Sequence, residues 1–240
     1  MGNFEDRVAI VTGGGTGIGR ALALALAKEG ARVVICGRRE APLREVVEII
    51  ASDDKEGVWI QGDISVEEDV ERVVHKALQC FGTIDILINN AGISGGGWIH
   101  EHSVRKWDHI IAVNLRGPFL MARKVLPIMR EQGRGEVVNI SSESGLEHYE
   151  GNGAYGVSKH ALNALGEYIQ RENQSFGIRV HTICPGMVVT EMSRDSVALN
   201  HAKCLRAEDV ADLVLWQLSR WENIKIGRPV LIQTMENPWE

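Results

Sequence analysis

The chain has 240 residues, 44% hydrophobic and 24% charged, with a formal net charge of -6; this suits one core in a single unit over 1–240 and speaks against a nucleic-acid partner, which needs concentrated positive charge. Its four cysteines, Cys36, Cys80, Cys184 and Cys204, show neither Cys-x-x-Cys nor Cys/His metal spacing, so no structural metal and a reducing, cytoplasmic compartment are expected. The apolar run Ala21 to Ala27 falls far short of the roughly 20 residues that cross a membrane, and the acidic start, Met1 to Asp6, is unlike a secretory leader.

In chain order, short β-branched runs alternate with helical stretches. Val8 to Thr12 reads as a strand, Gly17 to Glu29 as a helix stopped by Gly30, and Arg32 to Cys36 as the next strand. A helix with Pro42 near its start, where a missing N–H does no harm, runs to about Ser52. Val58 to Gln61 is the third strand, Val66 to Phe81 the third helix and Ile84 to Asn89 the fourth strand, followed by a glycine-rich loop, Ser94 to Gly97. Helical material then spans Ser103 to about Arg130, with Pro118 and Pro127 as breaks. Glu136 to Ser141 is the fifth strand, Ala154 to Ser175 a long helix and Arg179 to Cys184 the sixth strand. Glu208 to Ser219 is helical, and Pro229 to Ile232 is a last edge strand.

Several of these strands are continuously apolar, the pattern of strands buried on both faces. Alternating strands and helices imply right-handed crossovers and a parallel sheet covered on both sides, an α/β doubly wound domain. Ligands of such sheets bind beyond the carboxyl ends of the strands, where the strand order reverses.

The first strand runs straight into Thr12-Gly13-Gly14-Gly15-Thr16-Gly17-Ile18-Gly19, where a helix begins. A turn without side chains lets a pyrophosphate reach the backbone, and the helix N-terminus offers unpaired N–H groups and a positive dipole end. The spacing is Gly-x-x-x-Gly-x-Gly. With Asp63-Ile64, Asn89-Asn90-Ala91-Gly92, Asn114, Ser142, Tyr155-x-x-x-Lys159 and Pro185-Gly186 in order, the chain from about Arg7 to Met192 resembles the short-chain dehydrogenase/reductase family. The resemblance implies a single Rossmann domain, a mostly parallel sheet of about seven strands flanked by helices, and NAD(H) or NADP(H) as cosubstrate. Gly13, Gly15, Thr16, Gly17, Ile18 and Gly19 would then form the pyrophosphate turn.

An acidic residue after the second strand would bind the ribose 2′-hydroxyl of NAD. Here that position reads Cys36-Gly37-Arg38-Arg39, and guanidinium groups suit a 2′-phosphate. NADP(H) is favoured, with NAD(H) the alternative. By resemblance, Asp63 accepts from the adenine amino group, Ile64 presents its backbone N–H nearby, and Asn90, with Ala91 and Gly92, places backbone near the adenosine ribose. Pro185 and Gly186 open the loop in which Val188 and Thr190 would hold the nicotinamide carboxamide.

Tyr155 and Lys159 lie one helical turn apart. A free tyrosine titrates near pH 10, and the lysine charge is expected to lower that value toward the working range of an acid/base. Ser142, thirteen positions before Tyr155, holds the substrate oxygen by resemblance, with Ser141 its competitor. Asn114 would help hold a water linking Lys159 to solvent, and Lys159 would also bind the nicotinamide ribose. The expected activity is hydride transfer between NADP(H) and a carbonyl or secondary alcohol, with 3-oxoacyl thioester reduction or non-catalytic NADP(H) sensing as alternatives. Substrate walls are sought at Ser94, Trp98, Leu146, His148, Met187 and Met192, with 187–204 as a candidate lid. The tail after Ile226 lacks the Gly-rich strand and Val-Asp-Gly-Gly-like ending common in the family. A homodimer or homotetramer acting on a small molecule is the default expectation.

Overall fold

A computed structural model describes residues 4–194, 198–220, 224, 226, 227 and 229–240. Seven strands, β1 (Val8–Thr12), β2 (Arg32–Gly37), β3 (Gly57–Gln61), β4 (Ile86–Asn89), β5 (Gly135–Ile140), β6 (Ile178–Pro185) and β7 (Val230–Ile232), form one sheet in the order β3-β2-β1-β4-β5-β6-β7. Every pairing is parallel. The chain runs outward from β1 to β3, then returns to start β4 on β1's other side. The order therefore reverses between β1 and β4, and a crevice opens there at the carboxyl edge.

The continuous apolar runs are explained by two cores. Ala9 and Val11 of β1, with Val33 and Ile35 of β2, face one helical layer. It is built from α1 (Gly17–Lys28), α2 (Glu40–Ser52) and α7 (Ala207–Leu218). Val8 and Ile10, with Val34 and Cys36, face the other. There α3 (Glu67–Phe81), α5 (Gly117–Gln132) and α6 (Gly153–Asn173) supply Val70, Leu120 and Ile169. Alternation along the central strands thus feeds both layers, so both faces of β1 and β2 are apolar.

Expected and observed elements differ most between 103 and 132. Ser103 caps α4 (Val104–Ile111), accepting a hydrogen bond from the Lys106 N–H. A π-helical turn, Ala112–Arg116, then passes directly into α5. Neither expected proline break occurs. Pro118 sits in the first turn of α5, where no N–H is needed, and Pro127 lies inside a continuous helix. Pro127 is exposed, as is Arg123 four residues before it, so the carbonyl deprived of a partner faces water. Leu120, Met121, Val125 and Met129 keep the buried face intact. No helix among the described residues is long and apolar enough to cross a membrane.

Candidate active site

The glycine turn after β1 is held by its own side chains. Thr12 donates through Oγ1 to the Ile88 carbonyl (3.2 Å) and accepts from the backbone N–H groups of Asn90 and Ala91, both at 3.0 Å. The Asn90 amide returns a bond to the Thr12 carbonyl at 2.9 Å. One threonine therefore clamps the ends of β1 and β4 at the reversal point. Gly13 and Gly17 adopt φ of +66° and +52°, left-handed values that disfavour other residues. A Cβ on Gly19 would overlap the Gly13 carbonyl oxygen and the Asn90 amide nitrogen. Gly15 serves packing: a Cβ there would press on Pro42 and Leu43 of α2. The result is a bare backbone cradle at the α1 N-terminus, where N–H groups are free of side-chain cover.

That cradle forms one end of a cleft of about 1020 Å³. Gly13, Thr16, Gly17 and Ile18 line it, as do Asn90, Ala91 and Gly92 opposite. Gly19 and Gly15 lie behind the lining. Asp63 and Ile64 border the cleft after β3. Asp63 Oδ1 accepts from the Ser65 N–H (2.9 Å) and hydroxyl (2.7 Å). Burial would raise the Asp63 carboxyl, but the Ser65 bonds and the charges of Arg38 and His109 outweigh it and hold the group below its ordinary value. Arg38 and Arg39 line the cleft at the end of β2 and differ in their engagement. Arg39 forms an exposed ion pair with Glu191 (2.6 Å), whereas no ion pair among the described residues takes the Arg38 guanidinium.

The candidate catalytic groups gather between β5 and α6. Ser142 and Tyr155 both line the cleft, and the Ser142 side chain stands close enough to the phenol to favour its ionised form. The neighbouring Ser141 turns inward, donating to the Lys159 carbonyl at 3.3 Å, which separates the two serines by role. Lys159 is nearly fully buried; its Nζ donates to the Ile140 carbonyl (2.9 Å) and lies 5.6 Å from the centre of the Tyr155 ring. The expected lowering of the phenol's pKa by this lysine is not found. Burial pushes Tyr155 up, and the charge of Glu143 adds to the rise, against a smaller lowering by Ser142. Burial also pushes the Lys159 ammonium down to about 8.

Asn114 sits in the π-helical turn, fully buried and behind the cleft lining. Its amide N–H groups donate to the Ile93 carbonyl (2.9 Å) and the Ser158 hydroxyl (3.0 Å), and its Oδ1 accepts from the Ile93 N–H (2.8 Å). The side chain thus ties the loop after β4 to α6; both of its donors are spent on protein, leaving acceptor capacity alone for a water. A π turn inside a helix is a frequent mark of a functional site.

After β6, Pro185, Gly186, Met187, Val188, Thr190 and Met192 line the cleft. Ser193 shapes this loop, donating to the Val188 carbonyl and accepting from the Thr190 N–H. Leu205 pairs with the loop's start, its N–H donating to the Met187 carbonyl. Of the candidate lid, 195–197 lie outside the described residues. Ser94 also reaches the cleft, but Trp98, Leu146 and His148 do not. Trp98 is half exposed beyond the loop, and Leu146 caps the short 3-10 turn Glu143–Gly145. His148 stacks on His160 of α6, 4.8 Å between ring centres.

Glu143 and Trp239 are among the lining residues that had no reading from sequence. Glu143 follows Ser142 directly and faces the cleft. Trp239 reaches it from the C-terminal tail, which is pinned by a bond from the Asn200 N–H to the Pro238 carbonyl (2.8 Å) and by Thr234 donating to the Lys203 carbonyl (2.8 Å). The tail's departure from the family pattern was the one hint of the latter. Among the described residues, no group of three metal-ligating side chains is gathered.

A family profile described as short chain dehydrogenase matches residues 7–200. An uncharacterized oxidoreductase of Thermotoga maritima is 39% identical over 206 residues, 85% of this chain and 81% of that protein. Among solved structures, a levodione reductase superposes with a TM-score of 0.89 at 31% identity, covering 96% of this chain and 97% of its own. A metagenomic short-chain oxidoreductase in complex with NADP gives 0.85 at 31% identity, covering 98% and 100%.

Proposed function

Because the chain belongs to the short-chain dehydrogenase family and is an NAD(P)-dependent oxidoreductase, we propose that it transfers a hydride between NADP(H) and a small carbonyl compound or secondary alcohol, with Tyr155 as the acid/base. The observation that carries this reading is that Ser142, Tyr155 and Lys159 line one cleft together with the bare backbone turn at Gly13 to Gly17.

The residues fit a dinucleotide. The cradle at Gly13 to Gly17 takes the pyrophosphate, Asp63 and Ile64 the adenine, and Asn90 to Gly92 the adenosine ribose. Arg38 takes a 2′-phosphate, Lys159 the nicotinamide ribose, and Val188 and Thr190 the carboxamide. The NADP held by a structural neighbour supports the cofactor choice, as does the absence of a carboxylate at the end of β2. When bound, the cofactor supplies or accepts the hydride. The chain does the rest. Ser142 donates a hydrogen bond to the substrate oxygen and so stabilises charge that develops there. Tyr155 hands its phenolic proton to that oxygen in reduction and recovers it in oxidation. A phenol pushed above its ordinary value is protonated at neutral pH, which suits the proton donor of a reductase. The ammonium of Lys159, anchored on Ile140, stands on the same wall to restrain the charge Tyr155 leaves behind. Phe119, Val157 and Tyr168 expose large apolar surface on α5 and α6, which supports a homo-oligomer closing over these helices.

The test is NADPH consumption against a panel of small ketones, repeated with NADH and with the matching alcohols and oxidised cofactors. Turnover that is more efficient with NADPH is expected. Cofactor binding without turnover of any member in either direction would instead mark a dinucleotide sensor.

A further inference from the structure

We propose that Glu143 is a substrate-recognition residue whose carboxylate accepts a hydrogen bond from a donor group, a hydroxyl or an ammonium, that the substrate carries near its reacting carbon. The proposal deepens the reductase reading above and rests on it.

Glu143 opens the short 3-10 turn after Ser142, so the strand that delivers the catalytic hydroxyl also delivers this carboxylate. It lines the cleft and is half-buried. The site lies between Tyr155 and the loop after β6: a Cβ built on Gly186 would stand 3.1 Å from Glu143 Oε2 and 3.0 Å from the Gln233 side chain. Its charge is felt by Tyr155, whose ionisation it opposes. The carboxylate is therefore beside the reacting groups, away from the phosphate cradle.

No hydrogen bond or ion pair among the described residues engages the Glu143 carboxylate. The cleft's other carboxylates are matched: Asp63 accepts from the Ser65 N–H and hydroxyl, and the more exposed Glu191 pairs with Arg39. Of the cations that line the cleft, Arg38 and Arg39 stand at the end of β2, and the Lys159 ammonium donates to Ile140. Among the described residues, the substrate end thus holds an uncompensated acceptor-only group in Glu143. A partly desolvated carboxylate without a donor is costly. Consistently, burial first and the charge of Glu147 second push the Glu143 carboxyl above its ordinary value. A donor on the substrate relieves that cost with a charge-assisted bond, and a substrate carboxylate or phosphate at the same place is repelled. The specificity expected is for hydroxy- or amino-substituted carbonyl compounds over their plain and acidic analogues.

The experiment uses four ketones of one skeleton that differ at a single position beside the carbonyl: hydroxyl, ammonium, methyl or carboxylate. For the full chain with NADPH, and for Glu143→Gln and Glu143→Ala, both kcat/KM and the direct binding of each ketone by ligand-observed NMR are measured. The parent should favour the donor-bearing ketones over the methyl analogue by about tenfold or more, as charge-assisted hydrogen bonds do. The carboxylate should be the poorest member, and both substitutions should collapse the donor-to-methyl ratio toward one. A ratio unmoved by either substitution, or a parent that prefers the methyl ketone, overturns the proposal. Donor preference in binding that depends on Glu143 but comes without turnover of any ketone upholds the recognition role and sinks the reductase reading. Turnover with a ratio indifferent to Glu143 does the reverse, and neither signal overturns both.

Discussion

At the scale of single residues, environment decides which of two similar side chains acts. Ser141 and Ser142 are adjacent, yet the pleat sends one to the Lys159 carbonyl and the other to the cleft that Tyr155 lines. Arg38 and Arg39 are adjacent too, and one is already paired in solvent with Glu191. An exposed ion pair of that kind is worth little, whereas a guanidinium that forks onto a phosphate is worth a charge-assisted pair of bonds. Arg38→Ala should therefore lower kcat/KM for NADPH about 10- to 100-fold while leaving NADH within a few-fold, and Arg39→Ala should do less. Steady-state kinetics with both cofactors checks this; equal losses with NADPH and NADH would count against the 2′-phosphate role. Sequence showed these residues because each stands just past a strand end. It did not show the pKa pattern at Tyr155, because burial of the phenol and the carbonyl that occupies Lys159 are tertiary facts.

At the scale of elements, the turn between β1 and α1 is where backbone geometry is least negotiable. Gly19 meets backbone of Gly13, which cannot rotate aside as a side chain could. Gly19→Ala should destabilise the fold by about 1–3 kcal/mol or more and weaken dinucleotide binding in parallel; thermal melts and cofactor titration check both, and a variant with parental stability would contradict the close approach. This element was legible because glycine spacing, strand end and helix start coincide. The strands were legible within a residue or two, β1 and β2 most plainly because two-sided burial leaves a continuous apolar run. The helix after Ser103 was not, since Pro127 signals a break and only its exposure reveals why none occurs. The substrate walls were the hardest. Loop side chains follow no period, so Trp98, Leu146 and His148 were expected on the cleft and lie off it. Glu143 and Trp239 went unread there, the latter brought in by a tail more than 80 residues from Tyr155 in the chain.

At the scale of the whole molecule, chemistry and stability occupy opposite edges of one sheet. The cleft opens at the carboxyl ends of the strands. Near the amino ends, beside a smaller cavity of about 420 Å³, the buried Glu136 accepts from Arg179 (2.6 Å) and Arg7 (3.2 Å) and contacts His181 Nε2 at 2.8 Å. Burial alone would raise the Glu136 carboxyl, but His181, Arg179 and Arg7 outweigh it and hold the group below its ordinary 4.5. A depressed folded value means the stabilisation is present above the unfolded value and is lost as pH falls through the folded one. Glu136→Gln should cost about 1–3 kcal/mol at neutral pH, because it removes the charged acceptor shared by Arg7, Arg179 and His181, and the gap to the parent should narrow in acid; denaturant titrations along a pH series check it, and parallel curves would contradict the network. The activity itself should depend little on that edge and wholly on the phenol in the cleft. The most direct measurement is kcat and NADPH affinity for Tyr155→Phe. A kcat lower by about 10²- to 10⁴-fold with NADPH affinity within a few-fold of the parent is the expected result; a kcat within a few-fold of the parent would contradict the assignment of Tyr155 as the proton donor.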